Sequence, residues 1–186
     1  AGLTGRTPRY GLHLERNRYG TQHYKVKNEP CDLSDWGALG AIIGGKLGSY
    51  WEVPIISGIT QTPTSDELKH FGAAMASHGS TPLFHLDGIT PEATSLASRC
   101  RDGDIPTTII SNRDFEVFFS KHQGNGTKID LVVFSAPQLS IFELKTLAEL
   151  LSNVAVSKDT TLLAVTSPQV AADAARMGIT KRIESA

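Results

Sequence analysis

Between Pro63 and Glu92 the pattern of apolar and polar positions changes period twice. Thr64, with Glu67 three places on, is the signature of a capping box, and Leu68, Phe71, Ala74 and Met75 then recur at helical spacing as far as Gly79. Pro82 to Leu86 is short, apolar and β-prone. Asp87-Gly88-Ile89 then turns the chain, and Thr90-Pro91 reads as an N-cap followed by a first helical residue. The same order of strand and then cap returns at Thr107 to Ile110 before Ser111 and Asp114, at Leu131 to Phe134 before Ser140 and Glu143, and at Leu162 to Val165 before Thr166-Ser167-Pro168. Four such units predict an α/β architecture.

The flanking segments fill in the outline. Leu12-His13-Leu14 and His23 to Lys27 alternate as half-buried strands around Asn17-Arg18-Tyr19-Gly20, which predicts an N-terminal β-hairpin with Arg16 and Arg18 near its tip. Asp32 to Asp35 opens a helix through Trp36, Leu39, Ile42, Ile43 and Leu47. Gly37, Gly40, Gly44 and Gly48 recur within it, a face that lets another backbone approach closely; they are not placed in a strand-to-helix turn, as a dinucleotide fingerprint requires. Val53 to Ile56 is a short strand with Pro54 at its start or edge. The surface turn Arg101-Asp102-Gly103-Asp104 suggests a division into a first lobe, 1–104, and a second, 105–186. In the second, Phe115 to Phe119 form an apolar helix stopped by Gly124-Asn125-Gly126, Ile141 to Leu151 form an amphipathic one, and Val170 to Met177 close the last unit before a polar tail.

Composition narrows the partners. A formal net charge of −1 in 186 residues, with no block of like charge, gives no electrostatic footprint for nucleic acid or an anionic membrane. The longest apolar run, Ala38 to Leu47, is too short to span a bilayer. Cys31 and Cys100 are far apart, without CxxC or Cys/His spacing, so no metal site is read here and a reducing, cytoplasmic setting is expected.

In open α/β sheets, ligands gather beyond the carboxyl ends of strands, where helix starts offer free N–H groups. Those places are Asp87 to Thr90, Ser111 to Arg113, Ser135 to Gln138 and Thr166-Ser167, although hydroxyls there also serve as ordinary caps. His85 interrupts an apolar strand, either as a core histidine satisfied by a carbonyl or as a substrate-contacting group. GxSxG, HExxH and P-loop motifs are absent.

Leu3-Thr4-Gly5-Arg6-Thr7-Pro8, Tyr10 to Leu14 with Asn17-Arg18, Ser34 to Gly40, and Leu83-Phe84-His85 with Gly88 to Ala93 together resemble the aconitase X family over essentially the whole chain. The resemblance implies an aconitase-like layered fold with a mainly parallel sheet flanked by helices. It also implies dehydration of a small hydroxy acid such as cis-3-hydroxy-L-proline or phosphomevalonate, an iron–sulfur cluster, and a swivel-type small domain or subunit that closes the site. The chain is expected to be a central portion, needing N- and C-terminal segments, and inactive alone. By position, Arg6 and Thr7 are expected near a substrate carboxylate, with His85, Thr166 and Ser167 as further substrate-binding residues. One departure stands out: where many members have a cysteine, this sequence has Ala136, in Ser135-Ala136-Pro137-Gln138. Alanine cannot ligate iron, so no cluster ligand is expected from this chain. The alternative is a non-catalytic, degenerate paralogue or assembly domain.

Overall fold

Gln22–Val26 (β1) is the strand around which the first part of the chain is built. A computed structural model describes residues 1–100, 105–124, 126 and 128–186; the expected turn 101–104 and Asn125 lie outside the described residues. The chain divides into two compact units, Ala1–Gln123 and Gly124–Ala186, so the expected lobe boundary at 104 falls inside the first.

In the first unit, β1 is followed by α1 (Leu33–Gly44), β2 (Pro54–Ser57), α2 (Ser65–Gly79), β3 (His85–Leu86), α3 (Leu96–Arg99), β4 (Thr107–Ile110) and α4 (Asn112–Ser120). The sheet order is β3-β2-β1-β4 and every pairing is parallel, with His23 beside Ile55 and Thr107, and Ile55 beside His85. Thr107 to Ile110 therefore completes the first sheet.

The expected hairpin is not formed. β1 has parallel neighbours on both sides, reached by crossovers, and Leu12 to Leu14 lies in and beside a 3-10 turn, Gly11–His13, followed by a second, Glu15–Asn17. Gly11 takes φ +58°, a conformation that favours glycine. The Asn17 amide then donates to the Gly11 carbonyl at 2.8 Å, so local bonds win over a two-stranded ladder.

α1 and α2 begin where their caps predict. The Asp32 carboxylate accepts from the Asp35 N–H at 2.9 Å. At α2, Thr64 Oγ1 accepts from the Glu67 N–H at 3.2 Å while Glu67 accepts from the Thr64 N–H at 2.6 Å. These two helices pack through glycine: a Cβ on Gly40 would fall 2.2 Å from the Phe71 carbonyl oxygen, and one on Gly44 would fall 2.5 Å from that of Met75. Trp36, Leu39, Ile43, Phe71 and Met75 fill the layer between helices and sheet with Tyr24, Val26, Ile56, Leu86 and Ile110. Each large aliphatic or aromatic side chain removed from water there contributes on the order of 1.5–3 kcal/mol.

The second unit pairs β5 (Leu131–Phe134) in parallel with β6 (Thr161–Ala164) and adds α5 (Ile141–Leu150), α6 (Pro168–Arg176) and α7 (Ile179–Glu184). Its core is Leu144, Ala148, Ala174 and Ile179 with Ile141, Ala164, Val170 and Ile183 packed against it. The polar tail expected after Gly178 is in fact α7, because Ile179 and Ile183, four apart, both reach this core. Among the described residues no helix is long and apolar enough to cross a membrane.

Candidate functional site

The loop leaving β3 sets the first site. Thr90 was expected to cap a helix starting at Pro91, and it does not. Its hydroxyl is spent on Leu86 instead, accepting from the N–H at 3.0 Å and donating to the carbonyl at 3.2 Å, and the helix waits until Ser95 caps α3. Gly88 donates to the Ala93 carbonyl at 2.7 Å, and this turn carries Glu92 back toward the segment ahead of β1.

There Arg18 receives it. The guanidinium donates from Nε to Glu92 Oε2 at 2.8 Å, from Nη2 to Oε1, and from Nη1 to the Leu12 carbonyl at 2.8 Å. Arg99 adds a second clamp: Nη1 donates to Glu15 Oε1 at 2.6 Å, Nε donates to the Glu92 carbonyl, and the guanidinium lies over the Tyr19 ring, 5.8 Å from its centroid. The Arg18 hydrogen bonds hold the Glu92 carboxyl below its ordinary pKa, and the same contact raises that of Arg18.

His85 is 1% exposed, and its Nε2 lies 2.7 Å from the Arg18 carbonyl oxygen. A carbonyl only accepts, so Nε2 carries the hydrogen. Burial pushes the imidazole pKa down, against the opposing pull of that carbonyl and of Glu92. Of the two roles open to it in the sequence, the geometry is that of a core histidine, which fixes Arg18.

This platform carries an arm of unpaired cations. The main chain of Arg6 is tied to Thr4, whose hydroxyl lies 3.3 Å from the Arg6 N–H. The exposed guanidinium groups of Arg6, Arg9 and Arg16 have no ion pair among the described residues. Thr7, beside Arg6, is exposed as well. Arg9 was not singled out from the sequence; its signal is compositional, four arginines against one carboxylate in the first 20 residues of a chain whose net charge is −1.

Thr166 and Ser167 belong to the second unit, and both hydroxyls are engaged locally. Thr166 Oγ1 donates to the Leu139 carbonyl at 2.6 Å, which ties the loops after β5 and β6 together, and Ser167 Oγ accepts from the Val170 N–H at 3.3 Å as the cap of α6. The other proposed helix starts behave alike. Ser111 donates to Asp114 at 3.0 Å from both its N–H and its hydroxyl, and α5 is capped by Ser140 rather than by the loop at Ser135. Thr90 and Ser111 follow the two outer strands of a four-stranded sheet, roughly 14 Å apart at the usual strand spacing, so they do not converge.

A groove the sequence did not reveal lies where the topology of the first sheet reverses. The chain steps from β1 outward to β2 and β3 and then returns to the other side of β1 at β4, the place where open sheets collect ligands. It is an open groove of about 730 Å³, with Asn28, Glu29, Cys31 and Asp35 on one side and Asn112, Phe115, Glu116, Phe119 and Gln123 on the other. The polar loop directly after β1 was the available signal. Its carboxylates are committed: Glu29 accepts from Thr60 Oγ1 at 2.6 Å and from two backbone N–H groups, which hold its pKa down, and Asp35 accepts from the Cys31 N–H at 3.0 Å.

An iron–sulfur cluster needs several thiolates converging on one point. Cys31 follows the carboxyl end of β1, whereas Cys100 bridges to Gly20 ahead of its amino end; the five-residue strand between them spans roughly 16 Å. Ala136, with φ +48°, stands alone in its loop as far as thiols are concerned. No group of three His, Cys, Asp or Glu side chains suited to a metal occurs among the described residues. The cysteines of this chain do not fit a cluster.

Comparison with known proteins gives the two units separate counterparts. Residues 20–120 match the family Aconitase X second domain, and residues 129–186 match Aconitase X third domain. The phosphomevalonate dehydratase large subunit of Methanosarcina mazei is 40% identical over 163 residues, 86% of this chain and 38% of that protein. The cis-3-hydroxy-L-proline dehydratase of Pseudomonas aeruginosa is 33% identical over 180 residues, 95% of this chain and 31% of that protein. The crystal structure of the holo-form of Thermococcus kodakaraensis aconitase X superposes with a TM-score of 0.85 at 31% identity, covering 98% of this chain and 45% of that one. The chain thus spans less than half the length of these proteins.

Proposed function

The chain belongs to the aconitase X family, and from that premise we propose that it supplies the second and third domains of a hydro-lyase that dehydrates a small hydroxy acid. The observation that carries this reading is the arm of Arg6, Arg9 and Arg16, three exposed guanidinium groups without an ion pair, held on a base braced by Arg18, Glu92 and His85. Guanidinium forks match carboxylate and phosphate geometry, so the arm suits an acidic substrate, with the Thr7 hydroxyl beside it as a neutral donor. His85 then acts through Arg18 rather than by touching substrate. Thr166 and Ser167 contribute by shaping the loops after β5 and β6.

Between the two activities named for the relatives, the charge pattern favours the phosphorylated acid. An amino acid brings an ammonium group that asks for a carboxylate, yet Glu15 is bonded to Arg99 and Glu92 to Arg18. A phosphate together with a carboxylate would use the free cations more fully. The chain's own part is binding: its cysteines do not meet, so cluster thiolates would come from outside these residues. A smaller partner subunit is supported by relatives named as large subunits. Cys31 and Cys100, which are not joined in a disulfide, suit the reducing cytoplasm.

The test is a chimera in which residues 1–186 replace the matching stretch of the Methanosarcina mazei large subunit, assembled with its partner and assayed for loss of water from phosphomevalonate. Turnover is expected, with Arg6→Ala raising KM about tenfold and changing kcat less. A chimera that assembles and is inactive would favour the non-catalytic reading of Ala136.

A further inference from the structure

We propose that Ser57, at the carboxyl end of β2, is a nucleophile that His23 activates and that accepts an acyl group from a small ester. His23 sits on β1 and directs one ring nitrogen to each neighbouring strand: Nε2 lies 2.8 Å from Ser57 Oγ, and Nδ1 lies 2.9 Å from Thr107 Oγ1 on β4. A nucleophile, a base and a group that orients the base are thus joined in one line. The alternation of β1 explains the place. Tyr24 and Val26 point into the core with α1 and α2, so His23 and Lys25 point to the other face of the sheet. His23 is 8% exposed, Ser57 is half-buried and Thr107 is exposed, so the base is sheltered beneath two residues that solvent reaches.

Burial lowers the His23 pKa from its ordinary 6.5, with Asp87 opposing and Lys25 assisting, so at neutral pH the ring is in the form that accepts a proton. With its hydrogen on Nδ1 and donated to Thr107, the ring takes the Ser57 proton at Nε2 as Oγ bonds to the acyl carbon. The bond from that carbon to the ester oxygen then breaks, and the leaving oxygen departs with the electron pair and the proton from Nε2. Water gives a proton to Nε2 in the same way as it attacks the acyl carbon, and Ser57 Oγ leaves with that proton, freeing a carboxylic acid. Lys25 is the register partner of Ser57, is exposed, and has no ion pair among the described residues. A carboxylate on the acyl group supplies that ion pair, so an anionic acyl ester is the preferred donor. Gly58, at φ +90°, keeps the end of β2 against β1: a Cβ there would fall 2.2 Å from the Val26 carbonyl oxygen, and Ser57 is thereby held within reach of the ring.

None of these residues belongs to the arginine arm or its base, so the test stands apart from that of the dehydratase reading. The 186-residue chain is treated with an alkyl fluorophosphonate, whose phosphorus bonds to the nucleophilic oxygen as fluoride leaves, and the adduct is located by peptide mass mapping. A single adduct is expected, on Ser57. His23→Gln should slow its formation about a hundredfold, the usual contribution of a general base. Thr107→Val should slow it by less, and Thr107→Ser should restore the rate, as a hydroxyl that only orients the ring requires. Circular dichroism shows which variants are folded, and the mapping of the unaltered chain decides the case where His23→Gln is not. The mono-nitrophenyl ester of succinate is expected to turn over faster than nitrophenyl acetate, and Lys25→Ala should erase the difference. No adduct on Ser57, or one that forms as fast in folded His23→Gln, would overturn the proposal and leave the three side chains as a stitch between strands. Equal turnover of the two esters would overturn the anionic donor.

Discussion

Arg18 and Glu92, 74 residues apart in the chain, meet fork to fork: Nε donates to Oε2 at 2.8 Å and Nη2 donates to Oε1. The pair joins the loop after β3 to the segment before β1, and both ends are anchored again. His85 holds the Arg18 carbonyl from beneath at 2.7 Å, and Arg99 reaches from the Glu92 backbone to Glu15 at 2.6 Å. The arm with Arg6 and Arg9 therefore leaves from a base that is fixed on several sides.

The first prediction concerns that pair. The two side chains are 25% and 37% exposed, so solvent screening limits the interaction to about 1 kcal/mol. Arg18→Met and Glu92→Gln should each destabilise the chain in urea denaturation, and the double mutant should cost less than their sum, with a coupling of about 0.5–1 kcal/mol. Strict additivity would show that the fork contributes nothing as a pair.

The second concerns acid. His85 and His23 both have pKa values lowered by burial, and Glu92 is lowered by the Arg18 hydrogen bond. A depressed folded value means the unfolded chain binds more protons, so stability rises with pH across that window. The histidine part is complete above 6.5 and lost as pH falls through the folded values; the Glu92 part is complete above 4.5 and lost below it in the same way. Thermal melting should thus weaken in two stages on acidification. His85→Phe should shrink the first stage without abolishing it, because His23 remains between Ser57 and Thr107 at 2.8 and 2.9 Å. It should also cost about 1–3 kcal/mol at neutral pH by leaving the Arg18 carbonyl without a donor.

The third contrasts glycines on one helix. Gly40→Ala and Gly44→Ala place a methyl group against the carbonyls of Phe71 and Met75, at 2.2 and 2.5 Å, so α1 and α2 must separate at a cost of about 1–3 kcal/mol or more each. Gly37→Ala meets nothing within 4 Å and should stabilise the helix by about 0.5–1 kcal/mol. Denaturation midpoints moving in the same direction for all three would sink the close-packing account.

The glycine face at Gly40 and Gly44, the capping box at Thr64 and the α/β order were legible because each rests on local spacing. The hairpin was misread for a related reason. Leu12 and Leu14 alternate as strand residues do, but the positive φ of Gly11 and the Asn17 side chain close the segment into 3-10 turns, and periodicity carries neither fact. Thr90-Pro91 has the composition of a helix start, yet its hydroxyl is better used on the backbone of Leu86. The Arg18–Glu92 pair, the pairing of β4 with β1 and the groove beyond them depend on contacts between distant parts of the chain, which no window of sequence contains.

The last prediction separates two kinds of arginine. Arg6, Arg9 and Arg16 are exposed and without ion pairs among the described residues, so changing each to alanine should alter stability by no more than about 0.5 kcal/mol. Arg18 and Arg99 are clamped between backbone and carboxylate, and their removal should be felt in the fold itself. In the assembled chimera the order reverses: the arm variants should raise KM additively and respond to salt, as guanidinium groups that meet an anion do. Arm variants that lower stability as much as Arg18→Met, or that leave KM unmoved, would remove the arm from the substrate site and return it to the surface.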